Sequence, residues 1–177
     1  MELLLATART NAPSAKRILE VGCGTGLLAQ RLAQLFPDAL VEAIDISPQM
    51  IARASEWHSL PHLTFAQEDF WTLHRESYDL VVSVNTWYFF PLEKSIEHLD
   101  SLLSPLGQIL LVTYGRSIWS VPHAFAVSRL TGTKTYLHSP EALTTLLSAR
   151  GFRAGWSPVN RWEGTYLVTA SRALPLS

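Results

Sequence analysis

Apolar and polar positions divide the chain into short segments of changing period. Arg17 to Val21 is a β-rich run that stops at a glycine cluster, Gly22 to Gly26; behind it Leu28, Leu32 and Leu35 recur at helical spacing until Pro37. Strand, tight turn and helix are predicted in that order. Leu40 to Asp45 is a second strand run. Ser47 and Pro48 then supply a capping hydroxyl and a first-turn proline for a helix to about Trp57. Leu63 to Ala66 predicts a short third strand. Tyr78 to Val84 is almost continuously apolar, as in a strand covered on both faces, and implies parallel pairing.

Leu92, Ile96, Leu99 and Leu103 mark one face of a helix that Pro105 and Gly107 end, ahead of a strand from Gln108 to Tyr114. Ser139, Pro140 and Glu141 repeat the cap-and-proline start, and Gly151 closes that helix. Phe152 to Val159 and Thr165 to Ser171 flank a five-residue connection, Asn160 to Gly164, which predicts an antiparallel hairpin. The stretch from Gly115 to His138 is long for a bare connection, and its apolar residues, Ile118, Trp119, Val121 and Phe125 among them, predict a helix covering the strand ends. A short helix around Glu2 to Thr7 precedes the first strand. Alternating strands and helices give a doubly wound α/β sheet in one domain, residues 1–177, with ligands expected where the strands end.

Composition narrows the functions. The chain has 177 residues, a formal net charge of −1 and no run of like charges, which argues against a nucleic-acid groove. One cysteine, Cys23, cannot form an intrachain disulfide, and a reducing, cytoplasmic setting is expected. The opening Met1 to Ala6 lacks the basic flank and long apolar stretch of a secretory signal, and no apolar run approaches the roughly 18 residues needed to cross a bilayer. Neither membrane nor metal is expected, since His58, His62, His74 and His98 lack metal-ligand spacing.

The candidate chemistry starts in Glu20-Val21-Gly22-Cys23-Gly24-Thr25-Gly26. Glycines at alternate positions between strand and helix let backbone approach a ligand beside a helix N-terminus. Their spacing is G-x-G-x-G and differs from the dinucleotide fingerprint G-x-G-x-x-G. Asp45 ends the second strand 19 residues after Gly26, close to the ~20-residue interval at which a carboxylate meets ribose hydroxyls.

With these motifs, Gln67-Glu68-Asp69-Phe70, Tyr78 to Asn85 and Leu103 to Gly107, the chain resembles class I S-adenosylmethionine-dependent methyltransferases. It is most similar to small-molecule members of ubiquinone/menaquinone and biotin-precursor biosynthesis. The resemblance implies a Rossmann-like, mostly parallel seven-stranded sheet with an antiparallel C-terminal hairpin, and S-adenosyl-L-methionine as cofactor. It assigns Glu20, Gly22 and Gly24 to the methionyl end of the cofactor, with Cys23 and Gly26 in the same loop. Asp45 falls to the ribose, Ile46 and Met50 to one adenine face, and Asp69 and the Phe70 N–H to the adenine edge. Asn85 falls beside the methionyl amine and sulfonium. Asp69 also suits a helix cap, and Asn85 a turn.

Methyl transfer is an in-line displacement, so positioning dominates and a base is needed only for a protonated acceptor. Tyr88, Tyr114, His123 and His138 are candidates for that role, and each also suits packing. Trp87 and Tyr88 are expected to wall the acceptor pocket, with Tyr114 and Trp119 beside them. Many relatives carry further N-terminal helices, whereas 16 residues precede Arg17 here. A shortened cap would leave the pocket open, or closed by residues 115–138 or another chain, unless the chain is trimmed. A small-molecule acceptor and a monomer or homodimer are expected. The alternatives are an NAD-dependent oxidoreductase, which the glycine spacing and final antiparallel pair disfavour, and a non-catalytic cofactor-binding partner subunit.

Overall fold

The computed structural model describes all residues except 75, 76, 116, 118, 119, 161 and 173–177. The elements run α1 (Glu2–Asn11), β1 (Arg17–Val21), α2 (Leu27–Leu35), β2 (Leu40–Asp45), α3 (Pro48–Trp57), β3 (Leu63–Gln67), β4 (Tyr78–Val84), α4 (Leu92–Leu102), β5 (Leu103–Tyr114), α5 (Ser120–Thr131), α6 (Pro140–Ala149), β6 (Phe152–Asn160) and β7 (Thr165–Arg172). Single 3-10 turns, Phe70–Thr72 and Trp87–Phe89, follow β3 and β4.

The seven strands form one sheet in the order β3-β2-β1-β4-β5-β7-β6. The pairs from β3 to β5 are parallel, and β7 enters antiparallel to both β5 and β6. This is the mixed, doubly wound sheet that the pattern predicts. The chain turns from β1 to β2 on one side and to β4 on the other, so the strand order switches at the carboxyl end of β1.

Period-two alternation divides the core between the faces. Leu19, Val81, Ile109 and Leu111 join α4 and α6 on one face; Ile18, Leu80, Val82 and Leu110 join α1 and α2 on the other. Ser47 and Ser139 accept from Met50 N and Ala142 N, the caps expected for α3 and α6.

Three elements differ from the sequence expectation. Helix α1 extends to Asn11, because Leu4 and Ala8, one turn apart, are buried against the core. Strand β5 begins at Leu103 rather than Gln108. Tyr78 pairs with Leu103 and Leu80 with Gln108, so the residues between bulge outward, leaving Leu106 exposed. Asp79 holds this end together, accepting from the Ser104 hydroxyl and from the Lys16 and Arg17 N–H groups. Helix α5 exists, but Val121, Phe125 and Leu130 on it face solvent, and among its described residues only Ser120 and Ala124 are buried. Among the described residues, no helix is long and apolar enough to cross a membrane.

Candidate functional site

The three glycines after β1 differ in what surrounds them. A Cβ on Gly22 would lie 2.1 Å from Thr86 Oγ1, so its absence lets the loop after β4 close on the loop after β1; Thr86 donates to the Gly22 carbonyl at 3.3 Å. At Gly24 a Cβ would meet nothing within 4 Å, and φ is +54°, so what calls for glycine here is backbone conformation. Gly26 makes room for Phe65 and Ala54. The space a Cβ would take is thus filled by the protein itself at Gly22 and Gly26 and is open at Gly24.

Asp45 braces the same loop. One carboxylate oxygen accepts from Gly24 N at 2.9 Å and the other from Ser47 N at 2.9 Å. Glu20, on β1, is 2% exposed, and its Oε2 is buried without a hydrogen-bond partner. Burial pushes its pKa up to about 8; the Ala29 backbone N–H pulls it down and the Asp45 carboxylate pushes it up. Cys23 is buried, and burial, Glu20 and Asp45 all push its pKa upward, so it remains a thiol.

A cavity of about 470 Å³ opens at this switch point, lined by Gly22, Asp45, Ile46, Asp69 and Phe70 among others. Asp69 caps the turn Phe70–Thr72 through Trp71 N (3.1 Å), so its capping role is real, and it also faces the cavity. Met50 is half-buried on α3, and Asn85 is an exposed turn residue at φ +55°. Glu20, Cys23, Gly24, Gly26, Met50 and Asn85 flank the cavity lining in sequence without being part of it. Thr86, Trp71, Phe89, Phe90 and Thr133 line it and were not expected as cofactor contacts.

On the acceptor side the aromatic run divides the other way from expectation. Trp87 is fully buried in the core, edge-on to Phe70 and Phe90, because the 3-10 turn points it inward; Phe89 and Phe90 reach the cavity instead. Trp87 is thus a core residue where a pocket wall was expected. Tyr88 is buried and stands edge-on to Tyr114 at 5.7 Å, and Tyr114 lies 5.7 Å from the exposed His123 ring. Burial raises the pKa of both tyrosines, seconded by their mutual proximity for Tyr88 and by Glu163 for Tyr114. Both hydroxyls therefore stay protonated at neutral pH. His138 stands apart: its Nε2–H donates to the Phe90 carbonyl at 2.9 Å, and burial lowers its pKa. With Tyr136 N donating to Tyr88 O at 2.6 Å, it straps the segment after α5 onto the aromatic turn. Trp119 lies outside the described residues. No group of His, Cys, Asp and Glu among the described residues could hold a metal ion.

The site thus combines a buried, unpartnered carboxyl oxygen of Glu20, the Asp45 carboxylate bound to two backbone N–H groups, and apolar side chains along part of the cavity wall.

Residues 18–107 match the family described as a methyltransferase domain. The chain is 34% identical over 124 residues to a malonyl-[acyl-carrier protein] O-methyltransferase of Bacillus cereus, covering 69% of this chain and 46% of that protein. It is 37% identical over 117 residues to the Bacillus anthracis protein of that name, covering 65% and 44%. The chain thus spans less than half the length of these relatives. The structure of magnesium protoporphyrin IX methyltransferase from Synechocystis with bound S-adenosylmethionine superposes with a TM-score of 0.69 at 25% identity, covering 97% of this chain and 77% of that one. An S-adenosylmethionine-dependent methyltransferase from Mesorhizobium loti shares the fold at a TM-score of 0.77 and 19% identity, covering 94% and 96%.

Proposed function

The chain belongs to the methyltransferase domain family, and from that membership we propose that it binds S-adenosyl-L-methionine and transfers a methyl group to a small-molecule acceptor. The observation that carries this reading is Glu20, a buried carboxyl group with an unpartnered oxygen, beside a cavity lined by Gly22 and Asp45. When bound, S-adenosyl-L-methionine supplies a methyl group already activated on a sulfonium, ready for in-line displacement.

The residues of the chain then bind and align, which can supply about 7–11 kcal/mol of the barrier reduction. Glu20 holds the ammonium group, and Gly24 admits the methionyl end without a side chain in the way. Asp45 takes the ribose hydroxyls while its other lone pairs keep Gly24 and Ser47 in place. Ile46 and Met50 cover one adenine face, Asp69 and the Phe70 N–H read the ring edge, and Asn85 lies at the methionyl end. Tyr88 and Tyr114 orient the acceptor as hydroxyl donors, and His123, exposed beside Tyr114, is the candidate base. His138 acts through the strap it anchors. In this reading residues 1–177 form one cofactor-binding domain, in the cytoplasm, as monomer or homodimer, without nucleic acid. The Bacillus relatives are named as O-methyltransferases, so oxygen acceptors are the first class to screen.

S-adenosylhomocysteine should raise the melting temperature while NADH does not; at 100 times the dissociation constant a ligand adds about 2.7 kcal/mol. Asp45→Ala should weaken S-adenosylhomocysteine binding about 10- to 150-fold in a calorimetric titration, the worth of a charged hydrogen bond. Stabilisation by NADH alone would favour the oxidoreductase alternative. Binding without transfer of a labelled methyl group to any acceptor would favour the non-catalytic one.

A further inference from the structure

Glu20 is the only carboxyl group among the fully buried side chains of the described residues. Its surroundings are known element by element. Helix α2 presents the Ala29 backbone N–H, β2 the Asp45 carboxylate and the glycine loop the Cys23 thiol. Strand β4 sets Val82 beside it in register, on the sheet face that α1 and α2 cover. None of these groups is a cation, and among the described residues Oε2 has no hydrogen-bond partner. An ionised carboxylate so placed lacks both solvent and counter-charge, the arrangement that drives a carboxyl group to keep its proton. A burial-raised pKa of about 8 agrees with that geometry.

A ligand that brings an ammonium group reverses the balance, because the missing counter-charge arrives with it. Resting on the methyltransferase reading, we propose that Glu20 holds a proton in the ligand-free protein and releases it when a ligand's primary ammonium group docks against Oε2. Recognition of the amino-acid end is then linked to expulsion of one proton. The O–H bond of Glu20 breaks, the proton passes to a buffer base, and the ammonium keeps its three hydrogens; nothing is oxidised or reduced. The site discriminates by ligand class: nucleosides carrying an amino-acid arm bind with a pH dependence, and nucleosides lacking the arm bind without one.

The test is titration calorimetry of the full chain at pH 7 in phosphate and in Tris, which differ in ionisation enthalpy. S-adenosylhomocysteine should release about one proton, read as a difference in observed enthalpy between the buffers. 5′-Methylthioadenosine, which lacks the ammonium, should release none. Glu20→Gln should abolish the release seen with S-adenosylhomocysteine. Independently of any variant, the affinity of the wild-type protein for S-adenosylhomocysteine should rise about tenfold per pH unit and level off above about pH 8. Identical enthalpies in the two buffers with a flat affinity profile would overturn the proton linkage and leave the methyltransferase reading standing. Undiminished release in Glu20→Gln would assign the proton to another group and overturn it likewise. Failure of S-adenosylhomocysteine to bind at all would remove the methyltransferase reading, and the linkage with it.

Discussion

At the carboxyl edge of the sheet, the ends of β1 and β2 are held by contacts within the protein. Gly22 receives Thr86, Asp45 spans Gly24 N and Ser47 N, and Glu20 is buried at the end of β1. Across the sheet, beyond β5, several large apolar side chains are unconfined: Val121, Phe125 and Leu130 on α5 and Trp162 in the β6–β7 hairpin face solvent. The first region is organised before any ligand arrives, which spares the cost of ordering it on binding. The second draws little packing energy from its apolar side chains, so substitutions there should register in acceptor turnover before they register in stability.

The sharpest way to break this contrast lies inside the first region. Gly22→Ala places a Cβ on Thr86 at φ +74° and should lower the melting temperature strongly and cost 100-fold or more in S-adenosylhomocysteine affinity, a loss of about 2.7 kcal/mol. Gly24→Ala meets no neighbour and should cost only the backbone strain, about 1–2 kcal/mol in a thermal or urea melt. Equal losses in the two melts would show that the Thr86 contact does not set the difference.

Glu20 provides a smaller effect with a definite sign. Its pKa in the folded protein, about 8, lies above the ordinary 4.5. Its contribution to stability is therefore full below about pH 4.5 and is lost as pH rises through about 8, at up to about 1.4 kcal/mol per pH unit. Ligand-free protein should melt at progressively lower temperature between pH 5 and 8, and Glu20→Gln should flatten that slope. An unchanged slope in the variant would show that Glu20 is not its source.

The smallest stability effect belongs to the second region. Phe125 is 70% exposed, so Phe125→Ala should change unfolding free energy by no more than about 0.5 kcal/mol. A loss of methyl-transfer efficiency without a change in S-adenosylhomocysteine affinity would assign this surface to the acceptor. A large fall in melting temperature would instead place Phe125 in a packed contact.

The same contrast explains what the sequence discloses. Strand and helix order is legible because glycines, prolines and capping serines punctuate it and because Tyr78 to Val84 has few other uses. Gly22, Asp45, Ile46, Asp69 and Phe70 are legible because a turn, a strand end and a cap each impose local chemistry, and all five line the cavity. Four consecutive aromatics, Trp87 to Phe90, carry no period, so only the 3-10 turn decides that Trp87 goes inward and Phe90 outward. Thr86 carries no local signal either, since its role comes from Gly22 across 64 residues. The early start of β5 hides behind Pro105 and Gly107, which read as a helix end and serve a bulge.

The separation between Gly22 and Thr86 also bears on how the chain reaches its fold. Strand β1 finds β2 about 23 residues onward, Ile18 beside Val41, but its other neighbour, Leu80, lies 62 residues away. Asp79 reaches the Lys16 and Arg17 amides over a similar distance. Closing so long a loop carries an entropic cost that must be met before β4 contributes any contact, which is the condition for slow folding. On a ribosome, β1 and the glycine loop leave the tunnel well before the partner that shapes them. The loop acquires its geometry only when β4 docks, so the most ordered part of the site is completed by one of the longer-range steps in assembling the sheet.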